Sequence, residues 1–518
     1  MKFGIRRLLG GWGMGLRAQV LLCAATAWFA VVAPVQAQQF QLSGVEFSKS
    51  DYLPEAELDR AVAKYLNRDI EFSDVQKMIA DVQALYLARG VVTARAIIEP
   101  QEVADGVLKI TLVEARLDAV KVLGLKDTRP EFVTSRLSPQ PGVKPDFEAL
   151  ARDLRLFEIA YDIRPKLSFS PGATPGTATA VVTVDEPRRL SWVASYDNSA
   201  AQALGSNQLS FSGTIRSLTG QRDTLSAKLA LTAGSQALSL FYTRPVGMKG
   251  GKISTSATYT QSKIVKGAFS IVDVTSKELK FSTGYSQPLW IGTDRYWTAS
   301  GDLNFERSNS QVAGAALQTT GLAEVDLSLS YQRQKLGQAW AASGGLKLGT
   351  VRSGNVSASD GFYYSLYGNV NYARKLGKRL VLDANLDLQY AEGQNLSVKR
   401  RFTGGGASTL RGYPKDARTG DSGAILRLQV NCPAPCLKQS PTLSRIAPFA
   451  FVDLGYIKPF KAAAAPVDNK HMLASSGLGM RMNFDKLALL GFIGVPLLAT
   501  GGQPKPSPRL YLGADYAF

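Results

Sequence analysis

The chain has 518 residues, with 60 lysines and arginines against 42 aspartates and glutamates, and its formal net charge is +18. Its one histidine, His471, and three cysteines argue against a histidine-based catalytic triad and against a metal cluster. The basic residues form no compact run that would indicate a nucleic-acid site, and no nucleotide or cofactor motif is present. Composition therefore disfavours an enzyme, and we expect no metal, cofactor or nucleic acid.

The first 37 residues have the pattern of a secretory signal peptide. Four basic residues precede an apolar run at 20–33. Val-Gln-Ala at 35–37 then supplies a small-residue cleavage site before Gln38. The run is too short to span a bilayer as a helix. Cleavage removes four positive charges, so the mature chain carries +14. For an exported chain, anionic lipid or lipopolysaccharide is the expected counter-charge.

Two cysteines remain in the mature chain, Cys432 and Cys436, within the stretch Asn-Cys-Pro-Ala-Pro-Cys. Three residues separate them, and no histidine or further cysteine lies nearby to complete a zinc site. In an oxidising compartment this spacing favours a small disulfide that closes a turn. Free thiols are the remaining alternative.

Residues 38–116 and 117–187 each show the order strand, helix, helix, strand, strand, which is a repeat of about 75 residues. The longest helical pattern places Val75, Ile79, Val82, Leu85 and Tyr86 at helical spacing and stops at a glycine. The predicted elements are strand 40–47, helices 54–66 and 73–90, and strands 93–100 and 107–116 in the first unit, then strand 118–124, helices 130–137 and 146–160, and strands 163–171 and 178–187 in the second. Two α+β domains are therefore expected.

Beyond residue 187 the helical patterns largely vanish, and segments of about ten residues alternate strictly. Within 381–390, leucine, alanine and tyrosine occupy the even positions from 382 to 390, and aspartate, asparagine and glutamine occupy the odd positions from 383 to 389. A soluble sandwich can alternate as well. Repeated acids and amides on the polar face, with apolar residues opposite, better suit a barrel with a wet interior in a lipid bilayer.

The length of this region bounds the number of strands. About 331 residues (188–518), at roughly 20 residues for each strand with its connection, give about 16 strands, an even number as bacterial barrels require. A closed antiparallel barrel of this size is wide enough for a pore. We therefore predict a transmembrane β-barrel at 188–518, preceded by the two α+β domains.

The chain ends on an alternating strand, 509–518, in which Tyr516 and Phe518 lie on the same face. A terminal phenylalanine that closes such a strand resembles the end of bacterial outer-membrane barrels. That resemblance implies recognition by the barrel-assembly machinery.

A glycine-rich segment at 401–422 interrupts the strands. It contains Leu410-Arg411-Gly412-Tyr413, and a later strand contains Phe451, Asp453 and Gly455 at alternate positions. These resemble the Val/Leu-Arg-Gly-Tyr/Phe loop motif and the Phe-x-Asp-x-Gly strand motif of barrels that transport or insert polypeptides at the outer membrane. The resemblance implies that the loop folds into the lumen and that Arg411 pairs with Asp453; Asp421 is a weaker acidic candidate. A carboxylate matches the arginine fork, and the glycine leaves room for the loop.

The two N-terminal units are similar to polypeptide-transport-associated (POTRA) domains. Two such units before a barrel of this size resemble the two-partner secretion transporters, which export haemolysin- or haemagglutinin-type proteins. The family implies an outer-membrane pore whose periplasmic domains bind an unfolded exoprotein, by strand addition to a sheet edge, and export it without ATP. Relatives often carry an N-terminal helix that plugs the barrel. Here the mature chain enters its first strand at Phe40, which leaves the 401–422 loop to close the lumen.

Three other functions compete with secretion. An insertase of outer-membrane proteins belongs to the same superfamily, although those relatives carry more POTRA units. A passive porin needs no POTRA unit, and an enzyme lacks support from any nucleophile or metal motif. The sequence therefore favours a secretion pore, with an insertase as the alternative. No sequence pattern identifies the exoprotein. No pattern distinguishes an Arg411–Asp453 pair that gates the pore from one that only stabilises it.

Overall fold

The computed structural model describes residues 39–138, 140–354, 359–391, 395–433, 445–458, 472–499 and 504–518. Signal peptide, His471 and Cys436 lie outside these ranges. The chain divides into two compact units, one formed by residues up to 86 with 96–112, the other by 87–95 with 113–518. None of the helices in the described ranges is long and apolar enough to cross a membrane.

The first unit contains a small three-stranded sheet. The strand order is β2-β5-β4, and the central strand β5 is parallel to β2. Strands β1 and β3 form a separate antiparallel ribbon. The elements are β1 (Phe40–Leu42), β2 (Gly44–Phe47), α1 (Glu55–Val62), β3 (Arg68–Ile70), α2 (Phe72–Ala88), β4 (Ala94–Ile97) and β5 (Val107–Glu114). Helix α2 buries Val75, Met78, Val82 and Tyr86, an apolar stripe at helical spacing of the kind that faces a core.

The structure departs from the sequence prediction at the first strand. We predicted one strand over 40–47, but the chain breaks at Ser43 into β1 and β2. The Ser43 backbone N–H donates to the Gly106 carbonyl (2.8 Å) and its hydroxyl donates to the Asp105 carbonyl (2.7 Å). These bonds to a neighbouring turn replace a ladder bond, so β1 is free to pair with β3, which is too short to show a periodic pattern.

The second unit begins with another α+β arrangement. Its elements are β6 (Arg116–Leu123), α3 (Pro130–Thr134), α4 (Phe147–Ala160), β7 (Arg164–Pro171) and β8 (Thr177–Asp185). Asp146 caps α4 by accepting from the backbone N–H groups of Glu148 and Ala149, which satisfies donors at the helix start. The sheet order is β6-β8-β7, with β8 parallel to β6 and antiparallel to β7. Strand β7 therefore lies at an edge of this sheet.

The rest of the described chain forms a closed antiparallel barrel of sixteen strands, which confirms the predicted fold class and strand number. Strand β26 pairs with β9 to close it, from Gly513 opposite Asp197 to Ala517 opposite Val193. The strands are β9 (Leu190–Asp197), β10 (Gln208–Arg216), β11 (Thr224–Thr232), β12 (Ser235–Val246), β13 (Gly251–Lys263), β14 (Val274–Ile291), β15 (Arg295–Val312), β16 (Ala315–Lys335), β17 (Gln338–Ser353), β18 (Gly361–Leu376), β19 (Leu380–Tyr390), β20 (Phe402–Gly404), β21 (Arg418–Gly420), β22 (Ser422–Asn431), β23 (Ile446–Lys458), β24 (Met472–Phe484), β25 (Leu487–Pro496) and β26 (Arg509–Ala517). Of these, β20 and β21 form a separate two-stranded ribbon that is not part of the wall.

The wall has an apolar outside and a polar inside. On β16, Leu327 and Leu329 are exposed, whereas the intervening face turns Asp326 inwards, where its carboxylate accepts from the Tyr367 hydroxyl of β18 (2.7 Å). Exposed leucines on one face are stable only in contact with lipid, and the acid is stable only where water or polar groups reach it. The alternation of the sequence therefore corresponds to the lipid and lumen faces.

The second sheet is attached to the barrel through a buried arginine. Arg222, in the turn between β10 and β11, donates from Nε to the Asp162 carboxylate (2.7 Å) and from Nη1 to the Thr128 hydroxyl (3.3 Å). Beside it, Glu186 accepts from the backbone N–H groups of Lys126 and Asp127 at 2.9 and 2.8 Å. Burial opposes the charge of Glu186, but these hydrogen bonds outweigh burial and lower the pKa of its carboxyl. The contacts hold the second sheet at the end of the barrel where β9 begins.

Candidate functional site: the luminal loop

The segment between β19 and β22, here called the luminal loop, contains the ribbon of β20 and β21. Its residues contact side chains or backbone of strands far apart in the wall: Glu324 of β16, Asp453 of β23, Gly494 of β25 and Tyr511 of β26. A single segment can reach all of these strands only from inside the barrel. The loop therefore folds back into the lumen.

Glycines shape the tip of this loop. Gly405, Gly406 and Gly412 have φ angles of 120°, 98° and 94°, a region that side-chain-bearing residues rarely adopt. Between them, the Thr409 hydroxyl accepts from the Gly405 N–H (2.9 Å) and donates to the Gly405 carbonyl (2.7 Å). The tight turn presents Arg411 to the wall.

Arg411 makes a forked contact with Asp453 on the inner face of β23. Its Nη2 donates to Oδ1 (2.7 Å), and both its Nε (2.9 Å) and its backbone N–H (3.0 Å) donate to Oδ2. The remaining Nη1 donates to the Gln429 side chain of β22. The guanidinium lies 3.5 Å from the centre of the Phe451 ring, in the geometry of a cation–π contact. Because Asp453 is 0 % exposed, its charge depends on these donors.

The residues that flank Arg411 fill matching spaces. Leu410 and Tyr413 are both 0 % exposed. Leu410 packs where Gly455 lacks a side chain, since a Cβ there would lie 2.6 Å from the leucine Cδ1. The Tyr413 hydroxyl lies 2.9 Å from the Ala474 carbonyl and 2.8 Å from the Leu498 carbonyl. All seven residues of the loop and strand motifs therefore meet in one buried contact region.

Comparison with known proteins identifies the family. Residues 176–482, more than half of the chain, match the family described as haemolysin secretion/activation protein ShlB/FhaC/HecB. Residues 40–115 match the ShlB-type POTRA domain.

The chain belongs to this family of two-partner secretion transporters.

Individual relatives agree with this assignment. The outer membrane transporter CdiB of Dickeya dadantii is 23% identical over 472 residues, covering 82% of this chain and 79% of the relative. The heme/hemopexin transporter protein HuxB of Haemophilus influenzae (strain 86-028NP) is 22% identical, covering 82% and 77%. As a member of this family, the protein lies in the outer membrane with its POTRA region in the periplasm.

Solved structures share the fold. CdiB from Escherichia coli superposes with a TM-score of 0.67 at 17% identity, covering 94% of this chain and 92% of that one. BamA from Haemophilus ducreyi lacking POTRA domains 1–3 gives 0.60 at 14% identity, covering 92% and 100%. The barrel architecture is thus common to a secretion transporter and to BamA.

Sequence reasoning missed three contributors to the loop contact. Gly494 of β25 meets the loop backbone, because a Cβ on Gly494 would lie 2.5 Å from the Gly412 nitrogen. Gln429 accepts from Arg411, and the Tyr511 hydroxyl donates to the Tyr413 carbonyl (3.1 Å). A glycine and a glutamine inside barrel strands carry no local signal. Tyr511 lies in the terminal strand noted in the sequence, on the face opposite to Tyr516.

The remaining predicted site residues lie at the ends of strands. At the seam between β26 and β9, the Phe518 N–H donates to the Trp192 carbonyl (3.1 Å), and the Tyr516 and Phe518 rings lie 5.3 Å apart on the exposed face. Cys432 follows β22, and its backbone N–H donates to the Pro448 carbonyl (2.9 Å). Because Cys436 lies outside the described residues, its pairing with Cys432 stays a prediction.

Proposed function

We propose that this protein exports an unfolded exoprotein partner from the periplasm to the cell surface or medium, without ATP. The observation that carries the proposal is the edge strand β7, which starts at the mouth of the barrel. The full sequence contains no phosphate-binding nucleotide motif. Folding of the client outside the cell would then supply the direction of transport.

Strand β7 suits a client that is extended and unfolded. It pairs only with β8 in its sheet, and Lys166 and Ser168 on it are exposed. Between β7 and α4 runs an apolar groove, lined in part by Phe147, Leu150, Leu154, Leu167 and Phe169. A strand added to such an edge gains main-chain hydrogen bonds, and the groove receives alternate side chains. This mode tolerates many client sequences, as export of a long chain requires.

A cavity connects this strand with the barrel. It measures about 670 Å³ and includes Arg164, the first residue of β7, together with Arg155 of α4. The barrel contributes Tyr296, Arg333 and Asp383, which lie at the same end of the wall as the start of β9. A segment that leaves β7 therefore enters the lumen at its periplasmic mouth.

Two further partners follow from the outer surface. The exposed leucines of the wall suit the acyl chains of lipid and lipopolysaccharide. The terminal Phe518, with Tyr516 on the exposed face, fits recognition by the barrel-assembly machinery during insertion.

Deletion of the gene tests the function directly. We expect one large protein to disappear from the medium or cell surface while the outer-membrane protein profile stays intact, because the pore serves a dedicated client. Mass spectrometry of medium and membrane fractions measures both, and the wild-type gene restores the export. Loss of many barrel proteins from the membrane, with no single missing exoprotein, would identify an insertase instead.

Site-specific photocrosslinking tests the client-binding strand. With a photoreactive amino acid at Ser168, we expect an adduct with the exoprotein, because this position lies on the open edge of the sheet. The control position is Lys121, exposed on β6 at the other edge of the same sheet, which the Val143 loop covers in part through the bond from the Leu117 N–H to the Val143 carbonyl (3.0 Å). Equal adducts at both positions, or an adduct only at Lys121, would reject β7 as the docking strand.

A further inference from the structure

A second group of ion pairs holds the luminal loop, on a part of the wall away from Asp453. The consecutive residues Lys399 and Arg400 precede β20 within the loop. Lys399 Nζ lies 2.6 Å from the Glu278 carboxylate and also contacts Glu306. Arg400 donates from Nε to Glu324 (2.8 Å), and its Nη1 lies 3.5 Å from Glu306.

The three glutamates lie on the adjacent strands β14, β15 and β16. Glu306 and Glu324 are only 7% and 6% exposed, so their like charges would be costly without cations nearby. Lys280 of β14 adds one cation, 3.1 Å from Glu278, and the other two come from the loop. The Tyr363 hydroxyl of β18 donates to Glu324 (2.6 Å), which orients that carboxylate towards Arg400.

Apolar packing reinforces the same attachment. Leu396, at the start of this part of the loop, is 1% exposed and packs in a cluster with Leu322 of β16, Val351 of β17 and Tyr363. The backbone N–H of Leu396 donates to the Asp421 carboxylate (3.1 Å) at the other end of the loop. This part of the loop is thus held by ion pairs, by apolar packing and by a hydrogen bond between the two ends of the loop.

The two attachments lie on different sides of the lumen. Four strands of the wall, β17, β18, β19 and β22, separate β16 from β23, and six separate β14 from β23. Only ten residues of the loop lie between Arg400 and Arg411. The Arg400 carbonyl accepts from the Gln389 side chain of β19 (2.9 Å), so the loop backbone passes beside β19. From there the Lys399 and Arg400 side chains extend to the glutamates of β14–β16, while the loop tip is docked at β23.

We propose that Lys399 and Arg400, with Glu278, Glu306 and Glu324, form a second anchor that positions the luminal loop across the pore. The loop then narrows the lumen only while both ends are held. Of the two attachments, this one is the easier to release, because the Lys399 and Arg400 side chains are 27% and 16% exposed, against 10% for Arg411 and 0% for Asp453. Release of the second anchor frees the lumen for a client while the tip stays docked at β23. The role of the second anchor in transport rests on the proposed export function. Its effect on the width of the pore does not depend on that function.

Channel recordings test the anchor without any exoprotein. With purified protein in planar lipid bilayers, we expect Arg400→Gln to raise the fraction of time in the wide, conducting state by about ten-fold, the change that corresponds to about 1.4 kcal/mol. Glu324→Gln should act in the same direction. The exchanged pair Arg400→Glu/Glu324→Arg should return the open fraction towards that of the wild type. Heat-modifiable migration on gels verifies that each barrel is folded.

Lys280→Gln is the matched control, since it removes a cation from the same glutamates but not from the loop, and it should leave the open fraction within about two-fold of wild type, as expected for an exposed ion pair. An unchanged open fraction in folded Arg400→Gln would overturn the second anchor, as would an equal rise with Lys280→Gln. If Arg400→Gln fails to fold, Lys399→Gln gives the same two outcomes. Loss of export in the gene deletion is scored separately, so a failed export function and a failed anchor give different results.

Discussion

Arg411→Ala should abolish export while most of the barrel remains in the outer membrane. The substitution leaves the Asp453 carboxylate, which is 0 % exposed, without its forked partner. Breaking one side of a buried ion pair costs about 3–5 kcal/mol. That cost is met by undocking of the loop, because the ladder between β22, β23 and β24 does not pass through Arg411. Exoprotein in the medium and heat-modifiable barrel in the membrane, measured together, give the result.

Three variants separate the contact from a general loss of charge. Lys415→Ala removes an exposed cation of the same loop and should export normally. Arg411→Lys keeps the charge but loses the fork, so export should be intermediate. Arg411→Ala/Asp453→Ala removes both charges and should leave the loop better docked than Arg411→Ala alone, by hydrogen exchange of residues 405–415. Normal export by Arg411→Ala, with a folded barrel, would show that this pair has no part in transport.

Local periodicity was sufficient to predict the wall and one side of the site. Alternation of period two assigns every second residue to one face, and the burial of β23 follows it: Phe451, Asp453 and Gly455 are buried, while Val452 and Leu454 are exposed. The partner of Asp453 was not available from periodicity. Arg411 was predicted as that partner because two short motifs resemble the loop and strand motifs of a known family. The resemblance thereby predicted a contact between residues that are 42 positions apart in the chain.

The partners without a motif could not be predicted. Gly494 lies in an apolar strand, where a glycine indicates only that some backbone approaches closely, and nothing in the sequence indicates that Gly412, 82 residues earlier, is that neighbour. Likewise, Lys399 and Arg400 read as an ordinary basic stretch until the three glutamates of β14, β15 and β16 are brought next to them. Such contacts depend on closure of the barrel, which fixes strands from distant parts of the sequence around one lumen.

Gly494→Ala should displace the loop tip and sharply reduce export. A methyl group at this position would lie 2.5 Å from the Gly412 nitrogen and 2.8 Å from the Arg411 carbonyl carbon, both backbone atoms that cannot move aside alone. Overpacking of this kind costs about 1–3 kcal/mol, and the loop can relieve it by moving away from β25. We expect faster hydrogen exchange in residues 405–415 of the purified protein and a matching loss of secreted exoprotein.

Gly491→Ala is the control, because it makes the same change on the same strand. The added methyl group there would be 3.6 Å from Leu512 Cδ2, an ordinary van der Waals contact, so exchange and export should match the wild type. The pair of variants separates crowding of the loop tip from any general effect of alanine on β25. Wild-type exchange in Gly494→Ala would mean that the tip accommodates the methyl group, and close backbone packing would then not be what holds Arg411 against Asp453. Faster hydrogen exchange with unchanged export would instead show that docking of the tip stabilises the loop but is not needed for transport.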